Sequence, residues 1–197
     1  MALSPGLTPR EVAELSQVPK RVIEKAIEDR VLKVRRGPKG RGLPSARRLL
    51  PAYSVAYALI VSRLDLKLGL AQKKRLARWL SEIKPKALRK SRWRVAPAVE
   101  LEPGLLIGDA MDRTQQYQKA RDALILIDLE IMGGTPIIRG TRMTVYSVLG
   151  RIEHGETVDL ILDENPHLSR KALEAAIIYA RAHPLIGRPG GRPWMDA

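Results

Sequence analysis

The chain contains no cysteine and no phenylalanine. The absence of cysteine excludes disulfides, cysteine-ligated zinc, iron–sulfur clusters and thiol nucleophiles. Long apolar runs are missing as well. The longest, Val55 to Val61, falls far short of the roughly 20 residues a membrane helix needs. The opening MALSPGLTPREVAEL has no basic segment followed by a long apolar one, so the expectation is a protein without a secretory signal, located in the cytoplasm. Acidic residues are scarce, 21 against 35 Lys+Arg, which leaves a net charge of +14 over 197 residues. With 45% hydrophobic and 28% charged residues, the composition is that of a folded chain.

The positive charge is unevenly placed. Residues 1–100 hold 24 Lys+Arg and 8 Asp+Glu, a net +16, whereas residues 101–197 hold 11 and 13, a net −2. The asymmetry points to two units with different partners. A strongly basic unit is drawn to polyphosphate and gains free energy by releasing condensed counterions. A basic surface that serves only solubility is the plainer alternative.

Leu7-Thr8-Pro9-Arg10-Glu11-Val12 reads as a helix start. Thr8 suits the N-cap and Pro9 the first helical position. Glu11 completes a capping box, and Leu7 with Val12 is placed as a hydrophobic staple. Ser16-Gln17-Val18 breaks this helix. Pro19 opens a second, whose apolar Val22, Ile23, Ala26 and Ile27 follow helical spacing. Its outer face carries Lys20, Arg21 and Lys25. Two short helices with a tight turn, the second opening on cations, describe a helix-turn-helix, although an ordinary helical hairpin has the same pattern.

Val31 to Val34 is expected to be a strand, Arg35 to Gly42 a basic Gly/Pro loop and Leu43 to Leu50 a returning strand. Read together these form a wing that offers Arg35, Arg36, Lys39 and Arg41 to phosphates or the minor groove, where the alternative is a flexible basic loop. Helices are expected over about 52–65 and 71–83. The stretch TPREVAELSQVPKRVIEKAIEDRVL, in the order helix, turn, helix, wing, helix, resembles the N-terminal domain of MerR-type regulators. The resemblance implies a winged helix-turn-helix and double-stranded DNA as ligand.

Residues 84–123 read as a basic linker with short strands at Trp93 to Ala96, Val99 to Leu101 and Leu105 to Ile107, and a polar helix over Asp112 to Ala123. Leu124 to Ile127 reads as a buried strand. The C-terminal part carries GGTPIIRGTR, followed by three helices with Thr144 and Ser169 as N-caps. That loop lacks the GK[ST] ending of a phosphate-binding loop, so its glycines are expected to permit turns and Arg139 and Arg142 to pair with acidic groups or phosphates. Neither HExxH nor GxSxG occurs, and no Ser-His-Asp set is apparent, so no catalytic residue, metal site or cofactor is expected. His167 is read as a local structural contact rather than a ligand, and Asp159, Asp163 and Glu164 as a solvated face rather than a metal cluster.

Gly133, Gly134, Pro136, Arg139, Gly140, Thr141 and Arg142, with Pro166-His167-Leu168, resemble a family of small prokaryotic domains marked by a GGxPxIRGTR strand-turn and three helices. Members of that family are regarded as antitoxins of type II toxin–antitoxin pairs, often beside a PIN-domain ribonuclease. Combined with a basic helix-turn-helix, the pattern resembles VapB-type antitoxins with a MerR-like N-terminus. The resemblance implies operator binding as a homodimer and neutralisation of a toxin. Within the tail 185–197, Arg188 and Arg192 are then candidates to pair with the toxin's carboxylates, with Trp194 as an apolar anchor. A frayed terminus is the alternative for the tail. For the whole chain the alternative is a stand-alone MerR-like regulator without a toxin.

The expected architecture is thus mainly α with short β-strands. It comprises a winged helix-turn-helix over 1–83, the linker over 84–123, a three-helix unit with a strand-turn entry over 124–184, and the tail.

Overall fold

In a computed structural model, residues 6–37, 48–64 and 66–185 are described. Over these residues the protein is mainly helical with three short antiparallel strand pairs, as the sequence predicts. No helix among them is long and apolar enough to cross a membrane.

The chain opens with α1 (Pro9–Ser16) and α2 (Lys20–Glu28). Thr8 caps α1 as its sequence predicts. The Glu11 backbone N–H donates to Thr8 Oγ1 at 3.2 Å, and the Thr8 N–H donates to Glu11 Oε2 at 2.6 Å. Gln17 adopts a left-handed conformation (φ 53°), which lets the chain turn sharply into α2. Strands β1 (Arg35–Arg36) and β2 (Arg48–Leu49) pair antiparallel, and Leu7 bridges Leu50 beside them. The first strand therefore lies just after the predicted 31–34. Val31 and Leu32 go into the core instead.

Helix α3 (Tyr53–Arg63) is buried from Ser54 to Ile60 and forms the centre of this half, with α1 and α4 (Leu70–Glu82) packed on it. Residues 84–123 hold α5 (Pro85–Leu88), the hairpin β3 (Trp93–Ala96) and β4 (Val99–Leu101), α6 (Pro103–Ile107) and α7 (Ala110–Leu124). Leu105 to Ile107, expected as a strand, is helical. Pro103 occupies the first helical position and Gly108 (φ 50°) ends the turn. A Cβ on Gly104 would lie 2.2 Å from the Arg89 carbonyl oxygen, so only glycine fits there.

The C-terminal part pairs β5 (Ile125–Leu126) with β6 (Ile137–Ile138), then runs through α8 (Val145–Glu153), α9 (Val158–Glu164) and α10 (Arg170–Ala182). Thr144, Thr157 and Ser169 each accept a backbone N–H three residues on, so all three helices are capped. Helix α10 packs against α8 on one side and α7 and α1 on the other. One continuous apolar core consequently runs from Leu7 to Ala180.

Candidate nucleic-acid interface

Helix α2 buries Ile23 and Ala26 and leaves Lys20, Arg21 and Lys25 exposed. Lys20 bonds Glu24 at 2.7 Å and Lys25 bonds Asp29 at 2.9 Å, both one turn along the helix. Among the described residues Arg21 has no ion pair. The Glu24 carboxyl is held below its ordinary value, chiefly by the Lys20 hydrogen bond; burial opposes it, and the charges of Lys20, Arg48 and Arg10 add to the lowering. Hydrogen bonding to Asp29 and its charge hold the Lys25 ammonium above its ordinary value. Arg10, Lys20 and Arg48 therefore gather around one carboxylate, where α1, α2 and the strand pair meet.

The strand pair adds a second feature. Arg35 lies opposite Leu49, and Arg36 lies directly opposite Arg48. Like charges in cross-strand register repel, and no carboxylate among the described residues pairs with either arginine. An approaching polyanion would relieve that repulsion. Lys39 and Arg41 lie outside the described residues, as do Arg188, Arg192 and Trp194.

The GGTPIIRGTR segment shows why its residue types occur in that order. Gly133, Gly134 and Gly140 have φ of 63°, 81° and 78°, and the chain makes a short 3-10 turn at Met132–Gly134. Pro136 accepts the Val145 N–H at 3.0 Å. Thr141 Oγ1 donates to the Ile138 carbonyl at 2.8 Å and accepts the Met143 N–H at 3.0 Å, which closes the turn after β6. Arg139 was expected to meet an acid or phosphate. Its Nε donates instead to the Ala123 carbonyl at 2.8 Å, at the end of α7, where the helix leaves carbonyls unpaired. Arg142 is exposed. Arg151 links Glu156 and Glu164, and Arg170 links Asp159, so most of the acidic face of α9 is engaged in ion pairs.

A buried polar node joins the two halves, and sequence reading did not anticipate it. Glu11 Oε1 accepts from Tyr117 Oη at 2.6 Å and from an Arg121 guanidinium nitrogen at 2.9 Å, and the same nitrogen donates to the Gly6 carbonyl at 2.9 Å. Arg121 also holds Asp122, with its Nε 2.9 Å from Oδ1. Burial pushes the Glu11 carboxyl up, but Arg121, His183, Tyr117 and the Thr8 amide outweigh it and hold the group below its ordinary value. Burial and the Glu11 charge push the Tyr117 phenol well above its own. His183 closes the end of α10 nearby. It stacks on Tyr179 with ring centroids 4.2 Å apart, and its carbonyl accepts from Tyr146 Oη at 2.8 Å.

Beside this node a cleft of about 630 Å³ separates α1, α2 and β2 from the Gly133–Pro136 turn and the end of α10.

Residues 125–180, from β5 into α10, match the model of a family described as a protein of unknown function (DUF433). The uncharacterized protein y4eO of Sinorhizobium fredii is 38% identical over 79 residues, which is 40% of this chain and 35% of that protein. The chain thus spans about a third of the length of that curated relative. A crystal structure of Rv2018 from Mycobacterium tuberculosis aligns over 89% of this chain and 98% of its own at 16% identity, with a TM-score of 0.34.

Proposed function

We propose that this chain is the antitoxin of a type II toxin–antitoxin pair, which binds operator DNA in the cytoplasm as a homodimer and neutralises a PIN-domain ribonuclease. The observation that carries the DNA half is the gathering of Arg10, Lys20 and Arg48 around Glu24 beside a capped α1, with Arg36 opposite Arg48 and, among the described residues, no ion pair to either of those two arginines. Lys20, Arg21 and Lys25 then enter the major groove from α2, and Arg35 and Arg36 with Lys39 and Arg41 reach phosphates flanking it. A two-fold protein reads a palindromic operator, which is why a homodimer is part of the proposal.

The toxin half is supported by the GGxPxIRGTR resemblance. In it, Arg188 and Arg192 bind toxin carboxylates and Trp194 anchors the tail. It is tested by co-expressing a tagged copy with its flanking genes, then purifying it and weighing the bound proteins intact. The expected result is a small stoichiometric partner that is toxic when expressed alone, and that a copy lacking 185–197 no longer retains. A protein that repeatedly emerges alone at low salt contradicts the antitoxin reading. The second reading, a stand-alone regulator of the MerR type, is favoured by the cleft between the DNA-reading helices and the C-terminal helices.

A further inference from the structure

The cleft has the size of a small-molecule site, for which about 300–1,000 Å³ is typical. Its two walls differ in chemistry. Arg10, Lys20, Glu24 and Arg48 line the first, and Ile127, Thr135, Pro136 and Tyr146 contribute to the second. Lys20 is engaged by Glu24. Arg10 and Arg48 have no ion pair among the described residues, and Arg48 faces Arg36 across the strand pair. Two arginines lining a concave, partly apolar space suit an oxyanion, because a guanidinium can hold phosphate by two parallel hydrogen bonds. The opposite wall offers apolar surface from Ile127 and Pro136 together with the hydroxyl-bearing Thr135 and Tyr146. A Cβ on Gly133 would meet nothing within 4 Å, so open space adjoins the turn at the rim.

We propose that the cleft binds a phosphomonoester of mononucleotide size, with its phosphate on Arg10 and Arg48 and its apolar body against Ile127, Pro136 and Tyr146. Arg48 also belongs to the DNA face, so the bound molecule withdraws a cation from the duplex and weakens operator binding. This regulatory half rests on the DNA-binding reading above. The binding half does not.

The probe is adenosine 5′-monophosphate, titrated by calorimetry, with adenosine as the control lacking phosphate. Wild type is expected to bind the nucleotide with a Kd below about 1 mM, and adenosine about tenfold more weakly or less. Arg10→Ala, an exposed position on α1, is expected to lose about tenfold. Thr135→Trp fills the cleft from the side away from α2 and is expected to abolish nucleotide binding while leaving duplex binding as in wild type. In wild type the nucleotide should weaken duplex binding, and in Thr135→Trp it should not, which separates a free phosphomonoester in the cleft from the phosphates of DNA. No binding by wild type at 5 mM nucleotide (about fivefold above the expected ceiling), or binding that survives both substitutions, overturns the proposal. Nucleotide binding that Arg10→Ala and Thr135→Trp remove supports the site even if no duplex binds, and that result defeats only the DNA reading.

Discussion

Glu11→Gln is expected to destabilise the protein by about 3 kcal/mol, at the lower end of the ~3–5 kcal/mol seen when one partner of a buried ion pair is removed. Glutamine keeps one acceptor oxygen, so it can accept either the Thr8 N–H or the Tyr117 and Arg121 donors but not both; the loss reports the charge facing Arg121, which is 3% exposed, together with one of those hydrogen bonds. For a chain of this length each kcal/mol moves Tm by about 2–4 °C, so the midpoint should fall by roughly 6–12 °C. Glu14→Gln is the control. Its link to Arg181 is long, 3.5 Å, and lies at the surface, so the change should stay within about 0.5 kcal/mol. The double variant Glu11→Gln/Arg121→Met should recover part of the loss, because it leaves no uncompensated charge in the core.

The same pair sets an acid limit. Glu11 is held below its unfolded value of 4.5, so its contribution is complete above about pH 4.5 and is lost as pH falls through the lower folded value. Thermal melts of wild type should therefore decline more steeply below pH 4.5 than those of Glu11→Gln. Parallel curves would remove Glu11 from the acid transition.

The second large effect concerns the strand pair. The triple variant Arg35→Ala/Arg36→Ala/Arg48→Ala is expected to weaken duplex binding about 100- to 1,000-fold at 0.1 M salt, similarly for all sequences. If each arginine neutralises one phosphate, the slope of log K against log[salt] should fall by about 0.9 per residue, or roughly 2.7 in all. Binding titrations across a salt series measure both quantities. Because all three side chains are exposed, the fold should tolerate the change. An unchanged slope would take the strand pair out of the interface.

The parts of the structure that were legible in the sequence are those encoded locally. Thr8 and Glu11 lie three residues apart, and their reciprocal bonds form where the pattern places them. Thr144 and Ser169 cap their helices for the same reason. What was not legible depends on distant partners. The second carboxylate oxygen of Glu11 meets Arg121, 110 residues away, and no local pattern announces that. Helix α7 read as polar because its inward stripe includes Thr114, Tyr117 and Arg121, polar groups that burial tolerates only because each finds a partner. Arg139 misled for a related reason. A guanidinium suggests an anion, but a carbonyl left unpaired at the end of α7 also accepts from it. The segment 105–107 was read from its apolar alternation, whereas Pro103 and Gly108 decide for a helical turn.

The cleft was illegible for a different reason. One wall comes from Thr8 to Glu24 with Arg48 and the other from residues 127–185, and the packing of α7 and α10 on α1 brings them together. Of the cations that line it, the sequence points only Lys20 toward DNA, and it does not single out Arg10 or Arg48.

Operator recognition is decided by a nuclease footprint of the purified 197-residue chain on the DNA upstream of its own gene, repeated over a salt series. Two protected half-sites related by a two-fold axis are expected, spaced by about 10 base pairs or a multiple of it, and lost in the triple arginine variant. Uniform weak protection of any duplex, or none at low salt, would contradict operator recognition.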